Sequence, residues 1–187
     1  MFSVPFSPPG GLLHPAALGV FNAAYYHFPR SGKETVSGYE GFFYPLDIIG
    51  NWNRMYGPRG FFQYQCMIPD PHGEPGVEAC LRFLADHGMG SFLAVLKRCG
   101  DDEVMLPFCR RGFTRALNIP HRGEETLRRL EALDRIVMEY GGRIYLPKDA
   151  FRAMYPEWAE WMNVVKHYNP GGLGRSRMSE RLGLWDA

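Results

Sequence analysis

The chain has 187 residues, of which 45% are hydrophobic and 22% are charged, and this is enough apolar side chain for one folded domain and excludes disorder. Its 21 Lys and Arg against 20 Asp and Glu leave a formal net charge of +1, so no broad field attracts nucleic acid or an anionic membrane. The four cysteines form no C-x-x-C pair, and no basic segment precedes an apolar stretch near residue 1. These features predict a cytoplasmic protein with free thiols and without a signal peptide.

The first forty residues differ from the remainder in composition. Prolines and glycines crowd the first ten residues, which favours an extended arm because proline lacks a backbone donor and restricts the residue before it. A short helix is predicted over 15–27, with Pro15 at a position that suits a helix start. We expect residues 1–40 to form an arm and a short helix that continue from another domain, and residues 41–187 to form the main domain.

From residue 60 onward, alternating apolar residues predict strands and leucines spaced by three or four predict helices. The predicted elements are a strand over 60–69, a helix that begins at Pro75 and ends before Gly88, strands over 91–98 and 113–119, a helix over 124–140, a strand over 143–147 and a helix over 150–168. The order strand, helix, strand, strand, helix, strand predicts a ferredoxin-like α+β fold. Such a fold is an antiparallel βαββαβ sheet with the helices on one face.

The period of two along a strand divides the strand residues between two faces of the sheet. The largely apolar set is expected under the helices, and Arg115, which fits poorly there, is expected near a strand edge. The opposite, open face receives a polar set, namely Gln63, Gln65, Lys97, Thr114 and Asn118. Such a face suits a polar ligand or cofactor better than a dry interface between domains.

Four segments resemble one family when they are taken together and in order. They are FYPLDIIGNWNRMYG (43–57), GFFQYQ (60–65), SFLAVLK (91–97) and GGRIYLPKD (141–149). These segments resemble the C-terminal, substrate-side half of FAD-linked oxidases of the vanillyl-alcohol oxidase superfamily. The most similar branch contains decaprenylphosphoryl-ribose 2-oxidase and the sugar-1,4-lactone oxidases. Residues 21–27 and 176–184 also resemble that branch, so the resemblance covers almost the whole chain.

The resemblance implies an FAD-dependent oxidoreductase that acts on a CH–OH group of a sugar-type alcohol or lactone, with hydride passing to the flavin. The two types implied are a D-arabinono-1,4-lactone oxidase and a decaprenylphosphoryl-ribose oxidase. In this family FAD lies mainly on an N-terminal domain, which no segment of this chain resembles. The resemblance therefore implies a cap domain whose open sheet face covers the flavin ring and encloses a small sugar-type substrate. Its partner would be an FAD-binding domain or subunit, and peripheral membrane association of the complete enzyme stays open.

The resemblance also implies roles for individual residues. Lys97 and Lys148 would be the catalytic cations that oppose negative charge on reduced flavin or position a sugar oxygen. The residues that would contact substrate or flavin are Gln63, Gln65, Tyr145, Phe43, Thr114 and Asn118. The branch that oxidises the lipid-linked ribose typically has Tyr at the position of Phe43, and Asn and Cys at those of Thr114 and Ala116. These differences leave the substrate open.

Each of these residues also has an ordinary structural interpretation. Glutamines on an exposed strand face are usually only solvated, Lys97 is also consistent with a protective charge at a sheet edge, and Lys148 with a solvated loop. The alternative function is a stand-alone ferredoxin-like module for binding or dimerisation, without catalysis. RNA recognition is not predicted, because Arg115 stands where the RNP1 motif needs a second aromatic. The six histidines lack metal-ligand spacing, so no metal is predicted either.

Overall fold

This α+β structure is built on a four-stranded antiparallel sheet with helices packed on it. The structure is a computed structural model, and it describes residues 2–7, 15–27, 36, 38–39, 49–91, 93–101, 104–145, 152–181 and 185. In chain order the elements are β1 (Phe2–Ser3), α1 (Pro15–His27), β2 (Ile49–Gly50), a 3-10 helix (Trp52–Tyr56), β3 (Phe61–Pro69), α2 (Gly73–Asp86), β4 (Ala94–Cys99), β5 (Gly112–Pro120), α3 (Glu124–Glu139), β6 (Arg143–Ile144), a 3-10 turn (Arg152–Met154), α4 (Trp158–Tyr168) and α5 (Arg177–Arg181).

The main sheet has the strand order β4-β5-β3-β6, and every neighbouring pair is antiparallel. The two central strands, β3 and β5, pair along their whole length, from Phe61 opposite Pro120 to Pro69 opposite Gly112. The strand β6 is short and pairs with the middle of β3. The register of this long central pair therefore fixes which side chains of β3 and β5 lie opposite each other on each face of the sheet.

The core lies between the sheet and the helices α2 and α3. Leu133 and Val137 of α3 are fully buried because they share the apolar stripe of an amphipathic helix. A Cβ at Gly76 of α2 would lie 2.9 Å from Cδ1 of Ile68 and 3.0 Å from Cγ of Tyr140, so glycine allows α2 to approach β3 closely. The buried cluster consists of Tyr64, Cys66, Ile68, Cys80, Leu84, Met89, Leu117, Ile119, Leu133, Val137, Ile144, Met154 and Tyr155.

A second, two-stranded sheet joins the first residues of the chain to the 3-10 helix. The strands β1 and β2 pair in parallel. Nη1 of Arg54 donates hydrogen bonds to the carbonyls of Val4 (3.0 Å) and Pro5 (2.9 Å). Asn51, at a left-handed φ of 55° that asparagine tolerates, donates from Nδ2 to Oγ of Ser3 at 3.0 Å. Residues 2–5 are thereby attached beside the start of β3.

Most predicted elements are confirmed, and the helix over 15–27 has the predicted bounds. The helix α2 begins at Gly73, which leaves Pro75 in its first turn, where a missing N–H costs no helical hydrogen bond. The strand predicted to start at residue 91 starts instead at Ala94. The hydroxyl of Ser91 accounts for this, because it donates to the carbonyl of Leu93 at 2.6 Å and so forms a local turn.

The helix predicted over 150–168 is wrong in its first half. Only a 3-10 turn is present over Arg152–Met154, and α4 begins at Trp158. Pro156 explains the break, because it lacks a backbone donor and disfavours helical geometry at Tyr155 before it. The last residues of the strand predicted over 143–147 lie outside the described residues, as does Ala150.

The expectation that Arg115 lies near a strand edge is also wrong. Arg115 belongs to the central strand β5, stands opposite Cys66 on the helix-covered face, and is 4% exposed. Its three guanidinium nitrogens are buried and have no hydrogen-bond partner within the part of the chain that the structure describes. The alternation of side chains along β5 assigns Arg115 to the helix-covered face. It lies there although an arginine side chain is usually exposed to water.

No helix within the described ranges combines the length and apolar character that crossing a membrane requires.

Candidate functional site

The register of the sheet places the predicted polar residues on one face. Gln63 stands opposite Asn118, and Lys97 stands opposite Thr114. Gln65 lies two residues from Gln63 on the same strand. Directly opposed side chains and residues two apart share a face of a sheet. The structure therefore confirms the predicted division of the strands and brings these five residues together on the face that points away from α2 and α3. We call it the open face.

Exposure varies across the open face in a way that the alternation pattern does not predict. Gln63 and Lys97 are exposed, Gln65 and Ala116 are half-buried, and Thr114 and Asn118 are buried. The accessible polar groups are therefore the two glutamine amides and the lysine ammonium. They lie beside the small side chain of Ala116, which stands opposite Gln65.

The buried pair, Thr114 and Asn118, has structural contacts. The Thr114 hydroxyl donates a hydrogen bond to the carbonyl of Cys66 at 2.9 Å. The backbone N–H of Asn118 donates to the hydroxyl of Ser91 at 3.1 Å. These bonds hold β5 to its neighbours, and the predicted contact of both side chains with a ligand stays a prediction.

An aromatic group borders one end of the open face. Phe61, on the same face as Gln63, has its ring centroid 4.5 Å from that of Tyr56 and 5.4 Å from that of Trp52. The 3-10 helix thus covers this end of the sheet. The period of two assigns Phe61 to the glutamine face, so sequence reasoning contained the signal for this residue but did not use it.

Tyr145 directly follows β6, which is the edge strand of the sheet farthest from β4. Its N–H donates to the carbonyl of Gln65 at 2.8 Å, and its side chain is 54% exposed. Lys97 lies on β4, three strands away, which corresponds to about 14 Å at a strand spacing of about 4.8 Å. Tyr145 and Lys97 therefore stand on either side of Gln63 and Gln65. Phe43 and Lys148, the remaining predicted site residues, lie outside the described residues.

Arg143 adjoins this edge and was not predicted as a site residue. It stands opposite Met67 on the open face, yet it is 4% exposed because residues around Pro107 and Met154 cover it. Burial and the nearby Arg110 lower the pKa of Arg143 from its ordinary value. Arg143 lies in the segment GGRIYLPKD (141–149), but a charged residue that distant segments bury gives no local signal of its burial.

The helix-covered face carries a hydrogen-bonded pair, the buried Tyr64 and the half-buried Asp134, directly behind the site. The Tyr64 hydroxyl donates to Oδ1 of Asp134 on α3 at 2.8 Å. Burial raises the pKa of Asp134, and the hydrogen bond from Tyr64 opposes that shift. Burial also raises the pKa of the neighbouring Cys66 thiol to about 12, so this thiol stays protonated and unreactive at neutral pH.

Known proteins match this chain over most of its length. No protein-family model matches. Decaprenylphosphoryl-beta-D-ribose oxidase of Mycolicibacterium smegmatis is 32% identical over 195 aligned positions, which cover 98% of this chain and 41% of that protein. An uncharacterized protein in the mprA 5' region of Streptomyces coelicolor is 27% identical over 164 positions, which cover 83% of this chain and 43% of that protein. The chain spans about two fifths of the length of these curated relatives. It is therefore homologous to a part of decaprenylphosphoryl-beta-D-ribose oxidase, which confirms its resemblance to this branch of the FAD-linked oxidases.

Proposed function

We propose that this chain is the substrate-side cap of an FAD-dependent oxidoreductase that oxidises a CH–OH group of a sugar-type alcohol or lactone. The observation that carries the proposal is the open face, where Gln63, Gln65 and Lys97 present accessible polar groups in a chain homologous to a sugar-directed oxidase. The fully buried core of a domain interface is depleted in charged residues, so Lys97 on this face favours a polar ligand over a dry interface.

The fold within this proposal is ferredoxin-like. The strands β3, β4, β5 and β6 with α2 and α3 follow the βαββαβ order, and the central pair β3 and β5 lies between β4 and β6. Residues 41–187 would form the cap domain, and residues 1–40 an arm toward the FAD-binding part. The attachment of residues 2–5 to the 3-10 helix supports an arm that reaches the rim of the open face.

The residues of the open face fit one side of a planar ring that forms hydrogen bonds. Gln63 and Gln65 can donate and accept at the edge of such a ring or at sugar hydroxyls, and Ala116 leaves room for close approach. When bound, FAD supplies the acceptor for a hydride from the carbinol carbon. The binding of its remaining groups, and of the cofactor as a whole, would be the task of a separate FAD-binding portion, as domain or subunit.

Lys97 would act through its charge. Its ammonium is exposed on this chain, and the approach of an FAD-binding partner to the open face would remove water around it and strengthen its field. A fixed positive charge there opposes the negative charge that develops on hydride transfer, or orients a sugar oxygen. Lys148 would supply a second cation, and Tyr145 a hydrogen-bonding edge. Phe43, Thr114 and Asn118 would complete the contacts.

The proposal is tested by combining this chain with the portion of the Mycolicibacterium smegmatis relative that lies outside the aligned region. We expect the pair to retain FAD and to lose its visible flavin absorption anaerobically when decaprenylphosphoryl ribose or a sugar lactone is added. Retained flavin that no sugar-type alcohol or lactone reduces would contradict the function. A chain that stays monodisperse alone and does not associate with the FAD-binding portion would instead support a stand-alone module.

A matched pair of variants tests the role of Lys97. Lys97→Met is expected to slow single-turnover flavin reduction by about 10²- to 10³-fold, the usual effect of removing one donor that stabilises developing charge. Lys166→Met changes an exposed lysine on α4 and is expected to leave the rate unchanged. Equal rates in the two variants would remove Lys97 from the site.

A further inference from the structure

Arg143 connects three segments of the chain beneath the edge of the open face. Its Nη1 donates a hydrogen bond to the carbonyl of Pro107, and its Nε donates to the carbonyl of Met154 at 3.3 Å. The guanidinium carbon lies 4.5 Å from the ring centroid of Tyr155. The side chain is 4% exposed, so these contacts replace most of its water.

The same segments hold Tyr145. Phe108, next to Pro107, meets the Tyr145 ring edge-on, with centroids 5.3 Å apart and planes at 74°. The N–H of Ile144 donates to Sδ of Met154 at 3.0 Å, and the N–H of Tyr145 donates to the carbonyl of Gln65. Arg143 therefore fixes both the segment that carries Phe108 and the segment that flanks β6.

We call Arg143 with its contacts to Pro107, Met154 and Tyr155 the clamp. Its chemistry requires arginine. Two carbonyls from separate segments and one aromatic face are satisfied together by a planar, forked cation, which a lysine ammonium cannot imitate. Within the residues that the structure describes, the charged groups around it are Arg110 and Glu157, which pair with each other at 2.8 Å. Glu157 is thus engaged by Arg110, and carbonyl oxygens are the direct acceptors of Arg143.

We propose that Arg143 is a positioning residue that holds Tyr145 at the edge of the open face and thereby sets substrate affinity. The proposal rests on the proposed function, because it gives Tyr145 a place beside the substrate. Arg143 itself is buried and acts through Phe108 and Tyr145. Loss of the clamp frees the ring of Tyr145, so substrate binding weakens while the hydride-transfer step, which depends on Lys97, keeps its rate.

The first test reads the position of Tyr145 in the 187-residue chain alone. The chain is labelled with 3-fluorotyrosine and observed by ¹⁹F NMR. The resonance of residue 145 is assigned from its loss in Tyr145→Phe. In Arg143→Lys and Arg143→Gln this resonance is expected to shift and broaden, whereas the resonance of the buried Tyr64 stays in place and reports an intact fold. Arg98→Lys, an exposed arginine elsewhere on the sheet, is the control. An unchanged Tyr145 resonance in Arg143→Lys overturns the positioning role.

The second test uses the reconstituted enzyme described above. Arg143→Lys is expected to raise KM by about tenfold, which corresponds to a loss of about 1.4 kcal/mol in substrate binding, while kcat changes little. A displaced Tyr145 resonance with unchanged KM overturns the link to the substrate. The resonance test needs no activity, so failure of the proposed function and failure of the clamp are distinguishable.

Discussion

The hydrogen bond from Tyr64 to Asp134 fixes α3 against the strand that carries Gln63 and Gln65, and it yields a quantitative prediction. Tyr64 is 7% exposed, and its hydroxyl lies 2.8 Å from the carboxylate oxygen. A hydrogen bond to a charged acceptor contributes about 1.5–3 kcal/mol. We expect Tyr64→Phe to lower the free energy of unfolding at neutral pH by about 1.5–3 kcal/mol.

The pH dependence of this loss follows from Asp134. Because burial raises its pKa, the folded state binds a proton more tightly than the unfolded chain does. The contribution of Asp134 to the free energy of unfolding is therefore greatest below the ordinary aspartate pKa. It falls as pH rises through the raised pKa of the folded state. Removing the Tyr64 hydroxyl takes away a contact that lowers this pKa, so the pKa rises further. The loss in Tyr64→Phe is consequently larger at neutral pH than at acidic pH, where Asp134 is protonated.

Urea unfolding at neutral and acidic pH measures both effects. Asp134→Asn retains an acceptor oxygen without charge, so Tyr64→Phe in that background is expected to cost only about 0.5–1.5 kcal/mol. Tyr168→Phe changes a tyrosine that is 81% exposed and should stay within about 0.5 kcal/mol of the parent. The reasoning is refuted if Tyr64→Phe costs no more than Tyr168→Phe, or if its cost is the same at both pH values.

Three further predictions concern the core. Arg115→Met is expected to raise the free energy of unfolding by about 1–4 kcal/mol, because it removes a buried charge without a hydrogen-bond partner in the described ranges; an unchanged or lower free energy of unfolding in urea would contradict this. Leu133→Ala, at a position with 0% exposure, should cost about 2–5 kcal/mol in the same assay. Gly142→Ala should cost about 1–3 kcal/mol, since a Cβ there would lie 2.7 Å from the carbonyl oxygen of Met67. Calorimetry against Gly100→Ala, where a Cβ meets nothing within 4 Å, tests this, and equal melting temperatures would contradict it.

Local sequence patterns predict the boundaries of some helices correctly and of others incorrectly. The helix over 15–27 was predicted with its observed bounds, because Pro15 provides a local start signal. The start of the helix predicted over 150–168 differs from the observed one, because the apolar spacing continues across Pro156 although the helix begins only at Trp158. A proline inside an apolar period is a stronger local signal than the period itself.

The open face itself was predictable from the sequence. Alternation along a strand is a local property, and the registers of Gln63 with Asn118 and of Lys97 with Thr114 follow the predicted division. The resemblance to FAD-linked oxidases was likewise contained in four ordered segments, and the homology confirms it.

Only the tertiary structure decided which of these residues are accessible and what borders them. Asn118 and Arg143 share the open face with Gln63 and Lys97, yet the first two are buried and the last two are exposed. Burial depends on segments far away in sequence, such as the residues around Pro107 that cover Arg143. The sequence determines the face of a strand on which a side chain stands because that depends on backbone geometry alone, whereas its exposure depends on which distant segments pack over it.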